Sequence, residues 1–195
     1  MRGAVRVAEL HAGHRPRVGE ILRATGVFNE AEVAVALELF DEVYGTGGAR
    51  RDATPTLSLP DPRFPGLTAH HPDYCFLGAF AHDGDLLGYA CYGPTPATDR
   101  TYDLYWIAVD PAAQGSGTGT RLISEVERRV AALNARLLII ETSSRPEYEA
   151  TRRFYVARAY DEAARVGSFY APGEDRVIYT KRVQGGGEAR GMAAQ

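Results

Sequence analysis

Apolar and polar residues alternate from Val5 to Leu10, a period of two that predicts a strand, and the turn-like stretch His11 to Arg15 ends it. Helical spacing follows. Val18 to Leu22 reads as a short helix. Asn29 to Val43 reads as a second, in which Asn29 caps, Glu32 completes a capping box, and Val33, Leu37 and Phe40 recur on one face. From Tyr44 to Asp73 no period holds, and Gly45, Gly47, Gly48 and five prolines predict a long irregular connection. Connections of this length are uncommon unless functional or disordered.

Tyr74 to Ala81 and Leu86 to Tyr92 are apolar runs joined by His82-Asp83-Gly84-Asp85, whose Asp-Gly step signals a hairpin. After a turn from Pro94 to Arg100, Thr101 to Val109 supplies a third strand, so the three predict an antiparallel meander. Gly117 to Leu133 carries Leu122, Ile123, Val126, Val130 and Leu133 on one helical stripe, and Leu137 to Glu141 reads as a buried strand with little alternation. Together they form a strand, helix, strand crossover. A helix from about Tyr148 to Arg158, a strand near Asp161 to Val166 and a last strand from Arg176 to Lys181 complete a single α/β domain over residues 1–183. The segment 184–195, with three consecutive glycines, has no period and is expected to be disordered.

Composition narrows the function classes. With 195 residues, 45% of them apolar and 24% charged, the chain suits one domain with one sizeable core. A net charge of -3, with no basic run longer than the pair Arg152 and Arg153, leaves no footprint for nucleic acid. Neither a signal-peptide core nor a run approaching the roughly 20 apolar residues of a membrane span is visible, so a cytoplasmic protein without membrane contact is expected. Cys75 and Cys91 fall in strand-like apolar runs and suit buried, reduced thiols. The histidines lack ligand spacing, His70 and His71 included, so no metal is expected.

The chemistry concentrates between a strand and a helix, in Val109-Asp110-Pro111-Ala112-Ala113-Gln114-Gly115-Ser116-Gly117-Thr118-Gly119-Thr120. Successive N–H groups at a helix start, with no side chain at Gly115, Gly117 and Gly119, can converge on a phosphate that the helix dipole favours. A Walker loop would need Lys and Ser or Thr after the last glycine, where this chain has Thr120-Arg121. A dinucleotide fold stays open as an alternative because Glu141 ends the next strand, although its fingerprint would need a glycine where Thr120 stands.

Gln114-Gly115-Ser116-Gly117-Thr118-Gly119 resembles the Gln/Arg-x-x-Gly-x-Gly/Ala motif of the GNAT superfamily of N-acetyltransferases. Ile107-Ala108-Val109-Asp110-Pro111 is similar to the strand end before that motif, and Thr151 to Tyr160 resembles the later Ala-x-x-Phe-Tyr-x-x-x-Gly-Phe stretch. The departures are Ala159 for the usual glycine, Tyr160 for phenylalanine, and Tyr148 where an asparagine is common. The resemblance covers roughly Tyr74 to Arg182. It implies a mixed, mostly antiparallel sheet of about six or seven strands flanked by helices, with a splayed parallel pair forming an acyl-CoA cleft.

It also implies direct transfer of an acetyl group from acetyl-CoA to a primary amine of a small molecule or peptide. The implied cofactor contacts are Ile107, Ala108 and Val109 on the strand, Gln114, Gly115, Ser116, Gly117, Thr118, Gly119 and Thr120 on the turn, and Thr151 on the later helix. Tyr155 is the implied general acid for the leaving thiolate. Asp103, an acid in an apolar strand four residues before Ile107, is the candidate base, with an edge or solvent-face aspartate as the competing reading. Glu141 could bind the acceptor's ammonium or cap a turn, and Phe169-Tyr170, close before Pro172-Gly173, is expected to anchor a turn. A non-catalytic acyl-CoA-binding module and a homodimer both stay open.

Overall fold

The computed structural model describes residues 5–45 and 74–183. The expectations for the connection beyond Gly45, for His70 and His71 and for the segment 184–195 lie outside those residues.

A short strand, β1 (Arg6–Glu9), leads into α1 (Arg15–Ala24) and α2 (Glu30–Tyr44). The capping box is present: the Asn29 side chain accepts from the Glu32 N–H at 2.9 Å, and the Asn29 N–H donates to the Glu32 carboxylate at 2.7 Å. β2 (Cys75–Phe80) and β3 (Leu86–Pro94) form the expected hairpin, with Gly84 at φ +97° in its turn, and β4 (Thr101–Val109) extends the meander. Then come α3 (Thr118–Ala132), β5 (Leu137–Ser143), α4 (Glu149–Val156), β6 (Asp161–Ala171) and β7 (Glu174–Arg182).

The strands make one mixed sheet in the order β1-β2-β3-β4-β5-β7-β6, in which only β4 and β5 run parallel. Burial splits into two cores, one on each face. On one face Val18, Ile21 and Leu22 of α1 and Val33, Leu37 and Phe40 of α2 pack on Phe76, Phe80 and Tyr89. On the other, Leu122, Ile123, Val126 and Val130 of α3 meet Leu77, Leu104, Leu138 and Ile140, with Tyr155 of α4 in the same cluster. Leu133 departs from the expected stripe: it lies past the end of α3 and is exposed.

Two other boundaries differ. The helix expected from Tyr148 starts as a 3-10 turn at Pro146–Tyr148 and becomes α-helical at Glu149, since Pro146 suits a first-turn position. β6 runs to Ala171 rather than stopping near Val166. It is an edge strand with Asp161 to Tyr170 all exposed, so pairing to β7, not a buried face, defines it. Cys75 and Cys91 are free thiols that burial pushes above their ordinary pKa. Among the described residues no helix is long and apolar enough to cross a membrane.

Candidate active site

The parallel pair comes apart. β4 and β5 are in register from Thr101 and Leu137 to Leu104 and Ile140, yet β4 continues to Val109 and β5 to Ser143. Past Leu104 the β4 edge that faces β5 has no strand partner among the described residues; the Asp110 N–H bonds the Leu87 carbonyl on the β3 side, so alternation along the strand turns the N–H groups of Ile107 and Val109 toward the gap. On its other edge β4 pairs Leu104 with Tyr92 and Trp106 with Cys91, which leaves Tyr105 as the extra residue of an irregularity. Extra residues of this kind re-aim side chains. Here both Tyr105 and Trp106 turn to the α1/α2 face, while Ile107 and Val109 turn to the α3 face.

At the α3 end of the gap the chain makes the glycine-rich turn. Asp110 fixes its start, accepting from the Ala112 N–H at 2.8 Å and pairing with Arg17 of α1, contacts that hold its carboxyl below the usual range. Gln114 Nε2 donates back to the Val109 carbonyl at 3.2 Å, and the Ser116 hydroxyl donates to the Ala113 carbonyl at 2.5 Å while sharing a 2.8 Å hydrogen bond with Thr118. The polar side chains of the turn thus brace the turn itself. The backbone is what stays open. Gly115 and Gly117 have φ of +71° and +86°, and a Cβ at either would meet nothing within 4 Å. Gly119 is close-packed instead, its Cβ position 3.3 Å from the Phe154 ring. The first turn of α3 carries no acidic residue, so nothing built in offsets the positive end of its dipole.

α4 brings Tyr155 to the same face. Thr151 stands one turn before it and is half-buried. The Tyr155 ring packs against Phe154, Tyr160 and Tyr179 at centroid distances of 5.5, 5.9 and 5.8 Å. Burial pushes the phenol above its ordinary pKa, with a smaller contribution from Tyr148, so it remains protonated across the physiological range. Thr142, which sequence reasoning did not single out, lies on β5 just past the last parallel pair, and its hydroxyl is enclosed with no partner among the described residues. A buried polar atom without a partner is costly enough to call for an explanation.

The carboxylates lie on the opposite face. Asp103 alternates with the buried Tyr102 and Leu104 and pairs across with Ile139, so it sits diagonally from Glu141, and β4 is an interior strand rather than an edge. Burial raises the Asp103 carboxyl above the usual carboxylate range; the Thr95 hydroxyl, donating at 2.7 Å, opposes this, and the charge of Glu141 adds to it. Glu141 is already engaged, accepting from the Tyr170 hydroxyl at 2.5 Å and pairing with Arg176, so it does not cap a turn. Phe169 and Tyr170 join this network instead of merely preceding the turn: Arg176 stands 5.0 Å over the Phe169 ring. Around the mouth, Phe28 lies 5.4 Å from Trp106 and 6.3 Å from Tyr148.

Residues 36–160 match the acetyltransferase (GNAT) family. A structure from Desulfovibrio desulfuricans assigned to GNAT acetyltransferases is 37% identical, covers 93% of this chain and 100% of its own, and superposes with a TM-score of 0.76. The ribosomal-protein-S18-alanine N-acetyltransferase of Escherichia coli shares the fold at 16% identity, 96% and 99% coverage and a TM-score of 0.67. So does the PaiA N-acetyltransferase of Thermoplasma acidophilum, solved with coenzyme A, at 16% identity, 92% and 99% coverage and a TM-score of 0.63. No match is found among the curated proteins.

Proposed function

Because the chain belongs to the GNAT acetyltransferase family, we propose that it transfers an acetyl group from acetyl-CoA to a primary amine of a small molecule or peptide, by direct attack across the gap between β4 and β5. The observation that carries this reading is the gap itself, with an open glycine cradle on one face and the half-buried Asp103 on the other. The residues present fit the group. Gly115 and Gly117 leave room for backbone N–H groups to reach a pyrophosphate, and the unpartnered Thr142 hydroxyl is placed to bond an amide of the pantetheine arm. Bound there, acetyl-CoA supplies an activated thioester carbonyl.

The transfer forms a bond from the amine nitrogen to the carbonyl carbon and breaks the bond from that carbon to sulfur. The gap-facing N–H groups of β4, those of Ile107 and Val109, stabilise the oxyanion that develops. An alkyl ammonium has a pKa of about 10.4, so the nucleophile must first shed a proton. Asp103 takes that proton, directly or through water, and its raised pKa suits the role. Tyr155 donates its hydroxyl proton to the departing thiolate and recovers one from the second proton that the nitrogen loses. The products are an amide, a free thiol and one proton released to solvent. Reduced Cys75 and Cys91 suit a cytoplasmic setting.

The test is thiol release from acetyl-CoA with a panel of primary amines, with the product identified by mass. Amine-dependent release with an acetylated product is expected. Tight CoA binding with no amine-dependent release would instead mark a binding module.

A further inference from the structure

Arg158 follows α4, yet its guanidinium reaches the start of α3. It donates to the Phe154 carbonyl at 2.8 Å and to the Thr120 hydroxyl, and Cζ stands 3.5 Å over the Phe154 ring. Its Nε is enclosed with no partner. Among the described residues these partners are all neutral, and no carboxylate lies within ion-pair distance of it. This contrasts with other arginines at the site: Arg17 has Asp110 and Glu20, and Arg176 has Glu141.

Placement makes that isolation unfavourable. Thr120 belongs to the first turn of α3, where N–H groups point outward and the dipole is positive, and a cation beside such an end is repelled. Arg121, exposed in the next position, adds charge of the same sign. Phe154, which carries the guanidinium on its face, is also the ring that closes against Gly119. One side chain therefore ties the end of α4 to the helix start beneath the glycine cradle and brings an uncompensated cation there.

We propose that Arg158 is a phosphate contact: its guanidinium closes, from the α4 side, the anion site whose floor is the backbone from Gly115 to Thr120. The inference rests on the acyl-CoA reading above and adds to it a side chain that selects phosphorylated ligands. Guanidinium suits the role because it can bond a phosphate while keeping its stack on an aromatic ring.

The experiment measures dissociation constants of CoA, 3′-dephospho-CoA and unphosphorylated pantetheine for the wild type, Arg158→Gln and Arg158→Lys, with the melting temperature of each free protein. A hydrogen bond to a charged group is worth about ten- to a hundredfold in affinity, so Arg158→Gln is expected to weaken CoA by that factor and leave pantetheine unchanged. If the loss disappears with 3′-dephospho-CoA, the contact is to the 3′-phosphate; if it persists, to the pyrophosphate, and either result supports the proposal. CoA affinity within twofold of wild type in a folded Arg158→Gln protein would overturn it and leave a structural clip. Should that variant fail to fold, Arg158→Lys decides. Keeping the cation but losing the planar stack, it is expected to melt earlier yet bind CoA within about threefold of wild type; an equal loss for CoA and pantetheine would contradict a phosphate role. A wild type that binds no CoA at all would overturn the acyl-CoA reading, and this inference with it.

Discussion

The two faces of the gap between β4 and β5 are built from different materials. On the α3 face the site is mainly backbone: a turn braced by Asp110, Gln114 and Ser116, with glycines left open and few side chains aimed outward. On the α1/α2 face it is side chains from distant elements, Asp103 from β4, Glu141 from β5, Tyr170 from β6 and Arg176 from β7. A backbone site can be set by one contiguous segment and holds one ligand geometry. A side-chain site can change its preference residue by residue without disturbing the fold. The contrast suits an enzyme with a fixed donor and an acceptor particular to the chain.

The largest effect separating the faces is expected from Gly117→Val. A side chain there blocks the approach of phosphate to the N–H groups, and each lost hydrogen bond to a charged group is worth about tenfold or more, so CoA affinity should fall about a hundredfold or more by calorimetry. The left-handed φ of +86° adds strain but no clash, so the domain should still fold. Unchanged CoA affinity would put the phosphates elsewhere.

Asp103→Asn tests the other face. Losing a general base is expected to lower the acetylation rate about a hundredfold, with CoA affinity unchanged. The wild-type rate should rise as pH rises through the raised Asp103 pKa, and the variant should lack that limb. The stability sign is opposite. A carboxyl whose folded pKa is raised favours the native state at low pH and destabilises it as pH climbs through that value. The Asn variant should therefore melt no earlier than wild type at neutral pH. A variant with the wild-type rate would remove Asp103 from the chemistry.

Smaller effects sharpen the contrast. Tyr170→Phe takes one hydrogen bond from Glu141, a loss typically of about 1 kcal/mol, and should move the acceptor KM severalfold while leaving the acetyl-CoA KM in place. Equal shifts in both constants would mean that the faces are not separable. Ala159 occupies the left-handed position that ends α4, with φ +59° and the Tyr160 N–H bonded to the Tyr155 carbonyl at 3.2 Å. Ala159→Gly should relieve about 1 kcal/mol, raising the melting temperature with no change in either KM. A lower melting temperature would show that the position is not strained.

How much of this was legible in the sequence follows the same division. The turn from Gln114 to Thr120 was readable because glycine spacing carries the backbone requirement directly, and the bounds of β4 and the Asn29 cap followed from local pattern. The gap between β4 and β5 was reached only through resemblance, since register and the extra residue at Tyr105 depend on partners far along the chain. Tyr170 and Arg176 carry no motif, and strand pairing brings them to Glu141 only after folding. β6 was read too short because a strand exposed on both faces has no alternation to detect. One local signal existed for Arg158: it follows Thr151, Phe154 and Tyr155 at helical spacing, a charge on an otherwise packed stripe.

Tyr155 stands on the α3 face as the proposed acid for the leaving thiolate, and the most direct test of the proposed transfer is the single-turnover rate of acetylation in Tyr155→Phe, with acetyl-CoA bound first and amine saturating. The phenylalanine ring preserves the packing against Phe154, Tyr160 and Tyr179. The predicted result is a rate lower by about a hundredfold to ten-thousandfold, the usual contribution of general acid catalysis, at unchanged acetyl-CoA affinity. Transfer at the wild-type rate would contradict the acid role, and a matching loss of acetyl-CoA affinity would make Tyr155 a contact for the donor instead.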